Sequence, residues 1–218
     1  MKRRELVVFM SAMAAVSQAH AQLGGLGGMM GGNKGGGGAS VDSIIADFMI
    51  LAKSSAICMC QLGYAFDTRQ KAAEWQARAK STQAMSKPDE IGAAMTDVSK
   101  SSDATIQSLN DSNKAAEAFN KLSPEMQKFV IAALATAGIG ALKIVEIVKK
   151  VQSAKPTPME LPKIATLKDP IDVIGKSMPV IWDKGVAMLK NAKVTPPTPD
   201  KDAKMEASAD GWPPAPAA

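Results

Sequence analysis

The sequence predicts an all-α protein, a four-helix bundle or irregular helical array with disordered N- and C-terminal tails. Three observations lead there. From Val41 onward apolar residues recur at three- and four-residue steps, with abundant Ala and little β-branched alternation. Pro88, Pro124 and Pro170 each stand where a helix would begin, beside acidic residues suited to the positive end of its dipole. The flanks have compositions that build no core: ten glycines among the nineteen residues from Gln22 to Ser40, and Pro, Ala, Asp and Lys after Val194.

The N-terminus carries the pattern of an export signal. Met1-Lys2-Arg3-Arg4 is basic, Leu6 to Val16 is apolar, and Ala19-His20-Ala21 puts small residues at the −3 and −1 positions of a cleavage site. No Cys follows that site, so a lipid anchor is not expected. The expected layout is a cleaved signal peptide (1–21), a Gly-rich flexible linker (22–40), a helical domain (41–193) and a Pro/Ala-rich disordered tail (194–218). Cleavage would carry away the chain's one histidine, His20, and lower the net charge from +5 to about +3. Without histidine there is no imidazole base near neutral pH, no Ser-His-Asp or Cys-His arrangement and no histidine metal site. Ser-x-x-Lys is absent as well. The linker's glycines follow no strand and end in no Gly-Lys-Ser/Thr, so they cradle no phosphate. Beyond the signal no Lys/Arg run exceeds two residues, which argues against nucleic acid.

Four helical segments are expected. The first, from about Asp42 to Ala84, is broken near Gly63. Its main stripe is Ile44, Phe48, Leu51, Ser55, Cys58, Leu62, Phe66, Ala73 and Ala77. A second stripe, Ile50, Ile57, Tyr64 and Trp75, lies nearly opposite and is the candidate partner or dimer face. The second segment starts at Pro88 with the stripe Ile91, Met95, Val98, Ile106 and Leu109, and Ser101-Ser102-Asp103 as a suspected break. The third has Ser123 as cap and Pro124 as first residue, and runs to about Gln152. The fourth starts at Asp169-Pro170 and should kink or split at Pro179, near Ser177.

The third segment contains Phe129–Leu142, fourteen residues without a charge. They would span about 21 Å, short of the roughly 30 Å of a bilayer core. At 100° per residue Glu125, Lys128, Lys143, Glu146 and Lys150 fall in one sector about 60° wide, continued by Ala132, Ala135 and Ile139. A common wet side at both ends is expected of a core helix. Insertion of residues 129–148 into a membrane is the alternative.

Cys58-Met59-Cys60 is the other notable cluster. Residues two apart on a helix diverge by about 200°, so the thiols cannot bridge each other there. They are read as buried thiols, as an intermolecular disulfide through Cys58 or Cys60, or as Cu(I) ligands with Met59 or Met49, the last requiring local unwinding. No cofactor is expected. The functional expectation is an exported, non-catalytic structural, adaptor or binding protein of the periplasm or cell exterior, with a protein partner or self-association. Membrane activity and a copper or thiol-redox role are the alternatives.

Overall fold

The computed structural model of the protein describes residues 40–200 and 202–215. The expected signal peptide, and the glycine linker up to Ala39, lie outside them. The described residues form helices and no strands: α1 (Val41–Phe66), α2 (Arg69–Ala84), α3 (Pro88–Ser108), α4 (Ser112–Asn120), α5 (Pro124–Ser153), the short α6 (Leu161–Ala165) and α7 (Lys168–Asn191). This is the all-α array that the periodicity predicts.

Helix α1 is the axis of the packing. Every residue from Ser54 to Ala65 is buried, more than three turns with no wet side. Helices α2, α3 and α5 surround it, while α7 packs on α3, α4 and α5. Within α1 the main stripe from Ile44 to Leu62 is buried, and of the second stripe Ile57 and Tyr64 are covered by neighbours within the same chain.

Helix starts follow local chemistry. The Ser40 hydroxyl caps α1 by accepting from Ser43 N–H at 3.2 Å. Ser123 caps α5 through Met126 N–H at 3.3 Å, with Pro124 at the first position as expected. Asp111 caps α4, a nine-residue helix that the periodicity did not reveal because it buries only Ala115, Ala116 and Phe119.

Three expectations about breaks are corrected. The first segment breaks at Asp67-Thr68 rather than near Gly63. The Asp67 carboxylate organises this corner, accepting from Thr68 N–H at 2.7 Å and from Trp75 Nε1 at 3.1 Å. Burial pushes that carboxyl up, yet these bonds and the nearby Lys71 ammonium outweigh burial and hold it below its ordinary value. The corner resets the helical phase, so α2 buries Ala72, Trp75, Ala79 and Thr82 and leaves Ala73 and Ala77 exposed. Gly63 is instead mid-helix, where the missing side chain makes room: a Cβ there would lie within 2.9 Å of Cε2, Cδ2 and Cζ2 of Trp75.

Helix α3 runs unbroken through Ser101-Ser102-Asp103. Ser102 stays on the buried stripe by bonding back to the Ser99 carbonyl at 3.0 Å, which satisfies its hydroxyl inside the core. Helix α7 continues through Pro179 without splitting, and Pro179 is itself buried among neighbours that hold the segment helical. It ends in a Schellman arrangement, with Val194 N–H on the Leu189 carbonyl at 2.9 Å and Lys193 N–H on that of Lys190 at 3.0 Å. The C′ position, usually glycine, is Lys193 at φ 61°.

Two substitutions probe this account by urea unfolding. Gly63→Ala gains about 1 kcal/mol of helix propensity but must displace the Trp75 ring, so stability should fall by about 1–2 kcal/mol. Lys193→Gly removes the left-handed cost of a side chain and should raise stability by about 0.5–1 kcal/mol.

Candidate functional site

The C-terminal segment is the largest departure from the sequence reading. Residues 202–215, expected to be part of a disordered tail, lie as a non-helical strap in the seam between α1 and α5. The strap is bent at 209–211, where Gly211 takes φ 71° and Trp212 Nε1 donates back to the Ser208 carbonyl at 2.7 Å. The Met205 carbonyl accepts from Ser54 Oγ at 3.1 Å, that of Ser208 from Gln61 Nε2 at 3.5 Å and that of Pro213 from Tyr64 Oη at 2.7 Å. Gln83 of α2 accepts from Ala209 N–H at 2.7 Å and donates to the Asp210 carboxylate at 3.2 Å. Met205 and Ala209 are buried. At the far end Trp212 meets Tyr64 and Phe129 edge-on, with ring centroids 5.0 and 5.3 Å away.

Composition missed this because a Pro/Ala/Asp segment cannot bury itself; the donors come from α1 and α2. One signal was present. Ser54, Gln61 and Tyr64 form a polar row at helical spacing on an otherwise apolar helix, and such a row asks for acceptors when buried. Met205 and Trp212 are the matching anchors in the tail.

The same row shares its helix face with Ile50 and Ile57, so the strap lies on the predicted partner face. Ile57, Tyr64 and Trp75 are buried within the chain, Trp75 on the other side of α1 against Gly63. They do not form an exposed dimer surface; of the four, Ile50 alone is exposed, at 55 %. The small residues of α5 have a related use. Trp182 and Pro199 sit over Gly138, and the Met205 methyl sits over Gly140, each closer than a Cβ at that glycine would allow.

Beside Ile50 the strap forms one wall of a groove of about 540 Å³, between α1 and α5. Leu51, Ile147 and Met205 make its apolar floor, and Asp47, Lys143, Glu146, Lys150, Lys204 and Glu206 its charged rim. Asp47 and Lys150 bridge the two helices at 2.6 Å, each about 40 % exposed. Three of the five charges that share a sector on α5 thus line this groove, while Glu125 and Lys128 are exposed nearer its start. The apolar side, from Val130 through Leu134, Ala137, Ala141 and Ile144 to Val148, is buried. Helices α1 and α5 are nevertheless both long and apolar enough to cross a membrane, with 61 % and 50 % of their most apolar windows buried in the bundle.

Cys58 and Cys60 are fully buried, and no disulfide joins them. The Cys58 thiol donates to the Ala133 carbonyl at 3.0 Å. Burial, reinforced by Cys60, pushes Cys58 up to about 12. Burial also lifts Cys60 to about 12, although the Arg78 guanidinium opposes it. Both thiols are covered by other parts of the same chain in the packed state, so a disulfide to a second chain would require the bundle to open there. Met59 is buried too and receives the Ser102 hydroxyl at 3.5 Å, so α1 stays helical where a Cu(I) site would need it unwound. Among the described residues no group of three His, Cys, Asp or Glu side chains could hold a metal.

No known protein family, no curated protein and no solved structure matches this chain.

The thiols give a prediction with a definite sign. In the unfolded chain they ionise near 9.0, whereas the folded chain keeps both protons to about 12. Above pH 9 the unfolded state therefore binds fewer protons, and stability falls as pH rises toward 12. Urea midpoints measured from pH 8 to 11 should fall less steeply for the Cys58→Ala/Cys60→Ala double variant. A thiol reagent should modify neither cysteine of the native protein and both after unfolding.

Proposed function

We propose that this is an exported, non-catalytic structural, adaptor or binding protein, and that it engages a protein partner through the groove between α1, α5 and the C-terminal strap. One observation carries the reading. Ile50, an apolar side chain left exposed, stands at the edge of a concave surface with an apolar floor and three charges of each sign around it. A single exposed isoleucine is ordinary on a protein surface. One beside a concavity of ligand-binding size, ringed by charges that can register a partner's own, suits an apolar anchor with polar orientation. Export rests on the order of basic, apolar and small residues in the first 21 positions. The absence of histidine after cleavage makes catalysis the less suited class.

Site-specific photocrosslinking in cells tests this. A photoreactive residue at position 50 should yield one discrete adduct with a partner in the exported fraction. The same residue at position 159, where exposed Met159 lies away from the groove lining, should not. Equal labelling at both positions, or none at 50, removes the groove from consideration.

A second reading is favoured by α1 and α5 being adjacent and both of membrane-spanning length. If the protein acts on membranes by inserting residues 129–148, it should release dye from anionic vesicles. The binding reading expects intact vesicles.

A further inference from the structure

We infer that residues 202–215 exchange between copies of this chain: the strap of one copy docks in the α1–α5 seam of another and completes the groove there with its Lys204, Met205 and Glu206. This goes beyond the binding role argued above and does not depend on it.

The seat recognises the strap largely through main-chain groups. Three carbonyls accept from Ser54, Gln61 and Tyr64, one N–H donates to Gln83, and the side-chain anchors are Met205 over Gly140 and Trp212 between Tyr64 and Phe129. All these groups belong to α1, α2 and α5; none belongs to α7, the helix from which the strap is tethered. The docked geometry is thus indifferent to which copy supplies the strap, the condition under which a segment can swap at little cost.

The tether is suited to opening. Residues 195–199 read Thr-Pro-Pro-Thr-Pro and, among the described residues, make no hydrogen bond. A proline-rich run holds itself extended, at about 3.1 Å per residue, and spans roughly 15 Å over these five positions. Just before it stands Lys193, held in the left-handed conformation that a lysine disfavours. Opening at that residue relieves the strain and lets every strap contact re-form on a neighbour. The closed monomer is favoured when the chain is dilute and exchange when it is concentrated, because the tether sets a fixed effective concentration for the strap. The face of α1 predicted to meet a second copy then does so, through a non-helical segment rather than through another helix.

Swapping re-forms the same contacts on a neighbour, so a defect in seat or strap weakens closed monomer and swapped dimer alike, and only the hinge distinguishes the two states. Full-length natural chain is made with 14N and with 15N, mixed dilute and then concentrated. Light scattering on a sizing column should show a dimer on concentration, and native mass spectrometry should find one of each label in it. A photoreactive residue at position 212 should join peptides of different label across that dimer, because the strap of one copy lies against Tyr64 and Phe129 of the other. Full-length Lys193→Gly, its folding checked by circular dichroism and urea midpoint, removes the left-handed cost that opening relieves at two hinges and should dimerise about tenfold more weakly. Three results overturn the exchange: a chain that stays monomeric at every concentration, an adduct from position 212 that stays within one chain, or a Lys193→Gly chain that dimerises as well as the natural one.

Discussion

The structure depends on the complete enclosure of one helix. From Ser54 to Ala65, α1 presents nothing to water, and a helix dry on all sides must be given neighbours on all sides. Helices α2, α3 and α5 occupy most of its circumference. The remaining arc carries Ser54, Gln61 and Tyr64, whose donors cannot be left bare inside a core. A further amphipathic helix would cover that arc poorly, because its own main-chain carbonyls are already engaged. A non-helical segment has free carbonyls, and the strap supplies them.

Enclosure also bears on two features that stand out in the sequence. The thiols of Cys58 and Cys60 lie within the enclosed turns, where burial favours their protonated form. The apolar length of α1 and α5 comes from the same source. A helix surrounded by protein and one surrounded by lipid are selected for similar residues, so length and hydropathy pass both. The charges Glu125, Lys128, Lys143, Glu146 and Lys150 share one sector of α5, and three of them rim the groove.

Glycine placement shows the same economy at closer range. Gly63 admits the Trp75 ring beneath the α1–α2 corner, and Gly138 and Gly140 admit Trp182, Pro199 and Met205 against α5. Each is a mid-helix glycine that weakens the helix locally and lets a bulky neighbour approach the backbone. At Gly63 that role resembles, in the sequence, a helix break.

What the sequence determined by itself was local. Helical periodicity, the caps and prolines at Pro88 and Pro124, and the common wet sector of α5 depend on residues within a turn or two of one another, and all were readable. The stripe of the first segment was readable only as far as Phe66, because Asp67 resets the phase through bonds to Thr68 and Trp75 that no periodicity encodes. The groove and the strap were decided by tertiary structure. Met205 and Trp212 find their places against residues some 150 and 80 positions away, and a segment with no core of its own becomes ordered only when another part of the chain provides the donors and the apolar surface it lacks.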